Sequence, residues 1–129
     1  EIFVPFPFTP LFEPGKVGPL FEWRSYTVKP GAIGKVRDGF AGAIDARREY
    51  SPLTMAMFTE LGPLNKFVHI WTYESLDQRA EVRAKAVELG IWPPKGGTPG
   101  ALISQENKIM LPATFAPMQQ PDYRPRGRY

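Results

Sequence analysis

Proline limits where this chain can form regular structure. The sequence contains 15 prolines, and most of them lie in the first 19 residues or after residue 92. Proline has no backbone N–H and breaks helices and central strands, so an extended, polyproline-like arm is expected at the N-terminal end. The middle of the chain contains only Pro30, Pro52 and Pro63, and each of them ends a segment with a regular pattern of apolar residues.

The middle of the chain alternates between strand and helix patterns. Apolar and aromatic residues alternate from Leu20 to Val28 as in a strand, whereas residues 32–50 repeat them at the spacing of an amphipathic helix. Ser75 and Gln78 have the spacing of a capping box, which predicts the start of a second helix. The predicted elements are, in order, a strand at 20–28, a helix at 32–50, strands at 53–60 and 67–73, a helix at 75–89 and a strand within 101–111.

This order, β-α-β-β-α-β, predicts a ferredoxin-like α+β fold. In that fold the first and third strands lie side by side at the centre of a four-stranded antiparallel sheet. The two helices cover one face of the sheet, and the other face needs a second cover, most economically the same face of another copy. The pattern therefore predicts a homodimer that closes a dimeric α/β barrel.

Composition narrows the class of protein. The chain has 129 residues, 43% of them hydrophobic and 22% charged, which is typical of one soluble globular domain. The absence of cysteine excludes disulfides, thiolate metal sites and a cysteine nucleophile. The net charge of +3 is too small for a nucleic-acid-binding surface, and no apolar run reaches the roughly 20 residues of a membrane span. We expect a cytoplasmic or mitochondrial-type protein, with Glu1 compatible with a processed N-terminus.

The chain divides into an arm at residues 1–19, a core domain at 20–118 and a basic tail at 119–129. The arm either folds back on its own domain or clasps another subunit. The clasp is favoured, because four phenylalanines on an irregular segment are hard to bury locally. The tail arginines also predict docking to a partner, and further subunits of a larger complex are expected to bind through the arm. The residues concerned are Phe3, Phe6, Phe8, Phe12, Arg124, Arg126 and Arg128.

Two strands carry residues that could perform chemistry. Alternation places Glu22, Arg24 and Tyr26 on one face of the first strand. It also places His69, the only histidine, on one face of the third strand, together with Trp71 and Tyr73. If the more apolar faces contact the helices, Glu22, Arg24 and His69 share the opposite side of the sheet.

This cluster has two interpretations. In the first, Arg24 binds a carboxylate or enolate oxygen while His69 transfers a proton and Glu22 fixes the imidazole tautomer. In the second, Glu22 and Arg24 form a buried ion pair to which His69 donates a hydrogen bond. The second is favoured, because buried charges are normally paired.

A ligand pocket is predicted beside this cluster. No cofactor is expected: haem on His69 lacks a supporting motif, and a single histidine with scattered carboxylates lacks the ligand spacing of a metal site. The predicted pocket residues are Tyr26, Trp71, Tyr73, Asn65 and Asn107.

Residues 20–118 closely resemble the NIPSNAP family. The similar stretches are FEWRSYTVKPG at 21–31, ELGPLN at 60–65, VHIWTY at 68–73, SLDQRA at 75–80, SQENKIMLP at 104–112 and FAP at 115–117. The resemblance implies a dimeric α/β barrel of ferredoxin-like topology. The proline-rich arm, the loop at 92–100 and the basic tail depart from the family pattern.

The family implies little about activity, so two hypotheses about function remain. The first is a non-enzymatic binding or assembly subunit that docks through its arm and tail. The second is a small cofactor-free enzyme of the monooxygenase or isomerase kind, acting at Arg24 and His69.

Overall fold

The computed structural model describes residues 1–11, 13, 15, 17–95 and 99–119. Neither helix in this part of the chain has the length and apolar character of a membrane span. Five strands form one antiparallel sheet in the order β1-β3-β4-β2-β5. Two helices and a short 3-10 turn, Pro117–Gln119, complete the structure. The elements are β1 (Ile2–Pro5), β2 (Leu20–Val28), α1 (Ile33–Arg48), β3 (Leu53–Leu61), β4 (Lys66–Tyr73), α2 (Leu76–Glu88) and β5 (Leu102–Met110).

The ferredoxin-like β-α-β-β-α-β order is confirmed for β2 to β5, with β2 and β4 at the centre of the sheet. Their antiparallel register places Arg24 opposite His69 and Glu22 opposite Trp71. On the other side of β2, Asn107 of β5 lies opposite Arg24. Residues directly opposite each other point to the same side of a sheet. The pairing therefore brings the polar residues of three strands together on one face.

The capping box predicted for the second helix is confirmed. Ser75 Oγ accepts a hydrogen bond of 3.0 Å from the backbone N–H of Gln78. The Gln78 side chain accepts a return bond of 3.2 Å from the backbone N–H of Glu74. The first bond satisfies a donor that a helix start leaves unpaired, and the second fixes the residue before the N-cap, which explains why α2 begins at Leu76.

The N-terminal arm folds back on its own domain and adds the strand β1, which the sequence did not predict. β1 pairs only with β3, and proline is tolerated on an edge strand because one side of it needs no ladder hydrogen bonds. Phe6 follows β1 and is only 3% exposed, so it belongs to the core and offers no surface to a partner. Phe3 and Phe8 are partly buried, whereas Phe12 and the tail arginines Arg124, Arg126 and Arg128 lie outside the described residues.

The helices cover the sheet face that carries the polar residues, here called the inner face. Phe40 and Ile44 of α1 and Val82 of α2 pack in one core cluster with Trp71 and Phe67 of β4. The assumption that the polar side lies opposite the helices was therefore wrong. The physical reason is that this face is also the more aromatic one, and its charges are paired with each other.

The opposite face of the sheet, here called the outer face, is partly covered by segments of the same chain. Phe21, Val68 and Ile70 are buried there. Val17 and Met118 pack against this cluster, and the backbone N–H of Val17 donates to the carbonyl oxygen of Met118 at 3.3 Å. A second copy is therefore not the only possible cover for this face.

Candidate functional site

Glu22 is the centre of the polar cluster on the inner face. Its side chain is completely buried, and its Oε1 atom accepts hydrogen bonds from Arg79 at 2.7 Å, Arg24 at 2.8 Å and Asn107 at 3.0 Å. These donors come from α2, from β2 itself and from β5, respectively. The ion pair between Glu22 and Arg24 that the sequence favoured is present, and Arg79 extends it.

The environment of Glu22 keeps its carboxylate ionised. Burial alone would raise its pKa, but the hydrogen bonds from Arg79, Asn107 and Arg24 outweigh burial and lower the pKa to about 2. Its second oxygen, Oε2, is buried without a hydrogen-bond partner among the described residues. A carboxylate with so low a pKa is a poor proton acceptor near neutral pH, so Glu22 is suited to holding cations rather than to transferring protons.

Arg24 is held by two acceptors and reaches the edge of the cluster. Its Nε donates to the Tyr26 hydroxyl at 2.8 Å, and its Nη1 donates to Glu22. No hydrogen bond within the described residues uses Nη2 of Arg24. The guanidinium group is therefore fixed in orientation and still has donor capacity on one side.

His69 is completely buried among aromatic rings. It stacks on Phe67 with centroids 5.0 Å apart, and it meets the Phe40 ring edge to face with centroids 5.1 Å apart. Its Nδ1 accepts a hydrogen bond of 2.6 Å from the indole N–H of Trp71, which places the histidine proton on Nε2. His69 therefore does not donate to the ion pair of Glu22 and Arg24. Its Nε2 is buried and unpartnered among the described residues.

Burial, together with the nearby positive charge of Arg24, lowers the pKa of His69 well below its ordinary value. The folded protein thus holds a neutral imidazole at pH values where the unfolded chain binds a proton. The contribution of neutral His69 to the free energy of unfolding is fully present above about pH 6.5. Below that pH it decreases by about 1.4 kcal/mol for each pH unit of acidification.

We therefore expect the free energy of unfolding to decrease between about pH 6.5 and pH 5, as measured by urea denaturation. His69 is the only histidine, so no other side chain has its ordinary pKa in this window. In the His69→Phe variant, the free energy of unfolding should be almost independent of pH in this window. A wild-type profile as flat as that of the variant would show that His69 titrates normally in the fold.

Arg47 is a buried cation that was not predicted from the sequence. Arg47 is only 2% exposed, and its guanidinium group lies 4.4 Å from the centroid of the Trp71 ring. The same group donates hydrogen bonds to the Ser51 hydroxyl at 2.7 Å and to the Tyr73 hydroxyl at 3.1 Å. Burial lowers its pKa. Arg47 follows Phe40 and Ile44 at helical spacing, so an arginine on the apolar stripe of α1 was the available signal.

A cavity of about 470 Å³ lies between the inner face, both helices and the segment Trp92–Pro94. Most of its wall is apolar, and among the described residues that line it the charged ones are Arg24, Lys35 and Arg83, with no carboxylate. The lining residues are Arg24, Tyr26, Val28, Lys35, Val36, Gly39, Phe40, Arg83, Val87, Trp92, Pro93, Pro94, Ala101, Leu102 and Gln105.

Only one of the predicted pocket residues, Tyr26, lines this cavity. Trp71 and Tyr73 lie in the core beneath α1, and Asn107 is used as a donor to Glu22. Asn65 lies in the turn between β3 and β4 with a positive φ of 59°, and its carbonyl oxygen accepts from the backbone N–H of Val28. Of the predicted catalytic residues, Arg24 reaches the cavity wall, whereas His69 and Glu22 lie outside its lining.

Two arginines of α2, Arg79 and Arg83, contribute to the cluster and to the cavity and were not predicted. They are four residues apart on the helix and so lie on one side of it. The sequence shows this spacing, but whether the two side chains reach the cluster and the cavity depends on the position of α2 over β2.

The chain is similar in sequence to proteins of one known family. The NIPSNAP family model matches residues 21–117. A protein NipSnap homolog of Dictyostelium discoideum is 32% identical over 94 residues, covering 72% of this chain and 42% of that protein. Protein NipSnap homolog 3B of Homo sapiens is 32% identical over 122 residues, covering 92% of this chain and 49% of that protein. The chain thus spans less than half the length of these two relatives.

Solved structures are similar over nearly their full length. A NIPSNAP family protein with unknown function from Agrobacterium tumefaciens is 34% identical with a TM-score of 0.67, covering 79% of this chain and 95% of that one. An uncharacterized NIPSNAP-like domain protein from Burkholderia xenovorans is 30% identical with a TM-score of 0.68, covering 82% of this chain and 95% of that one. Both similarities agree with the ferredoxin-like arrangement described above.

Proposed function

Since this chain belongs to the NIPSNAP family, we propose that it is a binding protein of that family, which holds a small organic molecule in the cavity between its sheet and its helices. The observation that carries this proposal is the cavity itself. Its volume of about 470 Å³ falls within the range of known ligand pockets. Such pockets typically combine an apolar wall with a few polar groups that fix the ligand's orientation, as Arg24 and Tyr26 can here.

The positions of the titratable groups favour binding over proton-transfer catalysis. A general base must lie within hydrogen-bond reach of the proton that it removes. His69 is completely buried, does not line the cavity and already accepts a hydrogen bond from Trp71. Glu22 is shielded by three donors. The alternative of a cofactor-free enzyme acting at Arg24 and His69 therefore receives less support from the geometry.

The proposal can be tested by titrating the chain with 4-phenylbutanamide, a neutral probe, and recording backbone amide shifts by NMR. At about 0.3 kcal/mol per non-hydrogen atom, this probe should bind with a Kd on the order of 1 mM. The shifted resonances should belong to cavity residues such as Val36, Val87 and Trp92. Shifts spread evenly over the surface, or none at all, would contradict the proposal.

A blocking variant makes this test specific. Gly39 lines the cavity, so the side chain of Gly39→Phe should occupy it and weaken binding by at least about tenfold. Gly42 lies on the same helix outside this cavity, and a Cβ atom there meets nothing within 4 Å. Gly42→Phe is therefore the matched control, and the probe should bind to it as to the wild type.

Homodimerisation is a second proposed function, favoured by exposed apolar groups. Trp23 and Met55 on the outer face are only partly buried, and Phe115 is 78% exposed. Every residue of β5 except Met110 is exposed. Native mass spectrometry should detect a particle of twice 14.5 kDa at micromolar concentration, and a monomer alone would contradict this proposal. Docking of further subunits through Phe3 and Phe8 belongs to the same proposal.

A further inference from the structure

We propose that the ligand of the cavity is an organic monocarboxylate with an apolar body, and that its carboxylate lies between Arg24 and Arg83. This inference rests on the proposed binding function and specifies the chemical class that the site selects. It is carried by three features of the described residues: unpaired positive charge at the cavity, a free hydroxyl donor and an extensive apolar wall.

The positive charge around the cavity is not neutralised within the described chain. Glu22 is the carboxylate of the cluster in the described part of the chain, and Arg24 and Arg79 already bind it. Arg83 forms no ion pair or hydrogen bond with any described residue, although its side chain is partly buried at the cavity wall. Lys35 adds a further cation at this wall. A partly buried cation without a partner is unfavourable, and a bound anion would relieve that cost.

The donors at the cavity suit a carboxylate. The Tyr26 oxygen accepts a hydrogen bond from Nε of Arg24, which leaves its own O–H free to donate. Nη2 of Arg24 is free of partners among the described residues. Planar guanidinium groups bind carboxylates through paired N–H donors, which Arg83 can supply, and Nη2 of Arg24 can add a further donor to the same anion.

The remainder of the wall selects for an apolar body on the anion. Val28, Val36, Val87 and Leu102 line the cavity together with the Phe40 and Trp92 rings. An inorganic anion would leave this surface in contact with water. An apolar body attached to the carboxylate would cover it and gain the free energy of burial.

The test uses three probes with the same apolar body: 4-phenylbutanoate, 4-phenylbutanamide and 4-phenylbutylammonium. Their Kd values are measured by NMR titration at low ionic strength, because salt screens charged contacts. The carboxylate should bind about tenfold more tightly than the amide, and the ammonium should bind most weakly. Arg83→Gln should weaken the carboxylate by about tenfold and change the amide by less than about twofold.

The matched control is Arg48→Gln, which removes an arginine from the same molecule far from the cavity. Arg48 is exposed at the end of α1, where it pairs with Asp45 at 2.9 Å. This variant should bind 4-phenylbutanoate as the wild type does. An equal loss in both arginine variants would show that only net charge matters and would overturn the inference.

The other outcomes separate this inference from the proposed function. Equal affinities for the carboxylate and the amide would overturn the anion preference while leaving a ligand-binding cavity. Acetate binding as tightly as 4-phenylbutanoate would overturn the requirement for an apolar body. If neither the carboxylate nor the amide shifts resonances of the cavity residues, both the inference and the proposed binding function are wrong.

Discussion

Glu22→Gln is expected to lower the free energy of unfolding by about 3 kcal/mol near pH 7, because it removes the buried carboxylate that binds Arg24 and Arg79. Breaking a buried ion pair from one side leaves the partner charge uncompensated, and this cost exceeds that of removing the whole pair. The glutamine amide can still accept hydrogen bonds but carries no charge. The measurement is urea denaturation of both proteins in the same buffer.

The same residue predicts how the wild type responds to acid. The pKa of Glu22 is lowered to about 2 in the folded state, whereas an unfolded glutamate titrates at about 4.5. The contribution of Glu22 to the free energy of unfolding is therefore fully present above about pH 4.5. It is lost as the pH falls from there through about 2, a change on the order of 3 kcal/mol. The difference between wild type and Glu22→Gln should shrink across this range, and the protonation of His69 does not obscure this change because both proteins contain that residue.

Glu106→Gln is the control for the Glu22 variant. Glu106 pairs with Lys108 at 3.2 Å on β5, and both side chains are 62% exposed. Exposed ion pairs contribute little, so this variant should differ from the wild type by less than about 0.5 kcal/mol. If Glu22→Gln is as stable as Glu106→Gln, the buried cluster does not stabilise the fold.

Phe67→Ala is expected to destabilise the fold by about 3–5 kcal/mol. Phe67 is fully buried, and its ring contacts Phe40 with centroids 4.5 Å apart, His69 at 5.0 Å and Phe6 at 5.4 Å. Truncation removes a large apolar group and leaves a cavity that these rings cannot fill completely. The loss should be visible as a lower midpoint of urea denaturation.

Phe67 also anchors the N-terminal arm, so its variant should have a local effect. Phe6 packs on Phe67, and in Phe67→Ala the backbone amides of β1 should exchange with solvent faster than in the wild type. Phe115→Ala is the control, since Phe115 is 78% exposed and should cost less than about 0.5 kcal/mol. Equal losses in the two variants would contradict the described core.

The sequence predicted the elements well because their signals are local. Alternation identified the strands β2 and β4, and the Ser75 cap identified the start of α2. The assignment of sheet faces failed because it depends on partners that are distant in the sequence. The Glu22 carboxylate is paired with Arg79, 57 residues away, and accepts a hydrogen bond from Asn107, 85 residues away. The polar residues of β2 alone could not show that this face of the sheet can be buried beneath the helices.

The arm and the cavity show the same limit of local reasoning. Proline at positions 5 and 7 argued against a strand, but it does not exclude an edge strand that pairs on one side only. Phe6 was predicted to bind a partner, and it is buried because Phe58 and Phe67 offer it a site within the chain. The cavity depends on how Trp92 and α2 lie over the sheet, which no short pattern encodes.

The three tryptophans lie at different places in the fold, so their optical signals can report on binding. Trp23 lies on the outer face, Trp71 in the core and Trp92 on the cavity wall. The Trp71 and Trp92 rings are perpendicular, with centroids 5.6 Å apart, an arrangement in which their electronic transitions couple. Circular dichroism should therefore contain an exciton signal from this pair. A ligand that moves Trp92 would change this exciton signal. A partner that covers Trp23 would leave the exciton signal unchanged and alter only the fluorescence of Trp23.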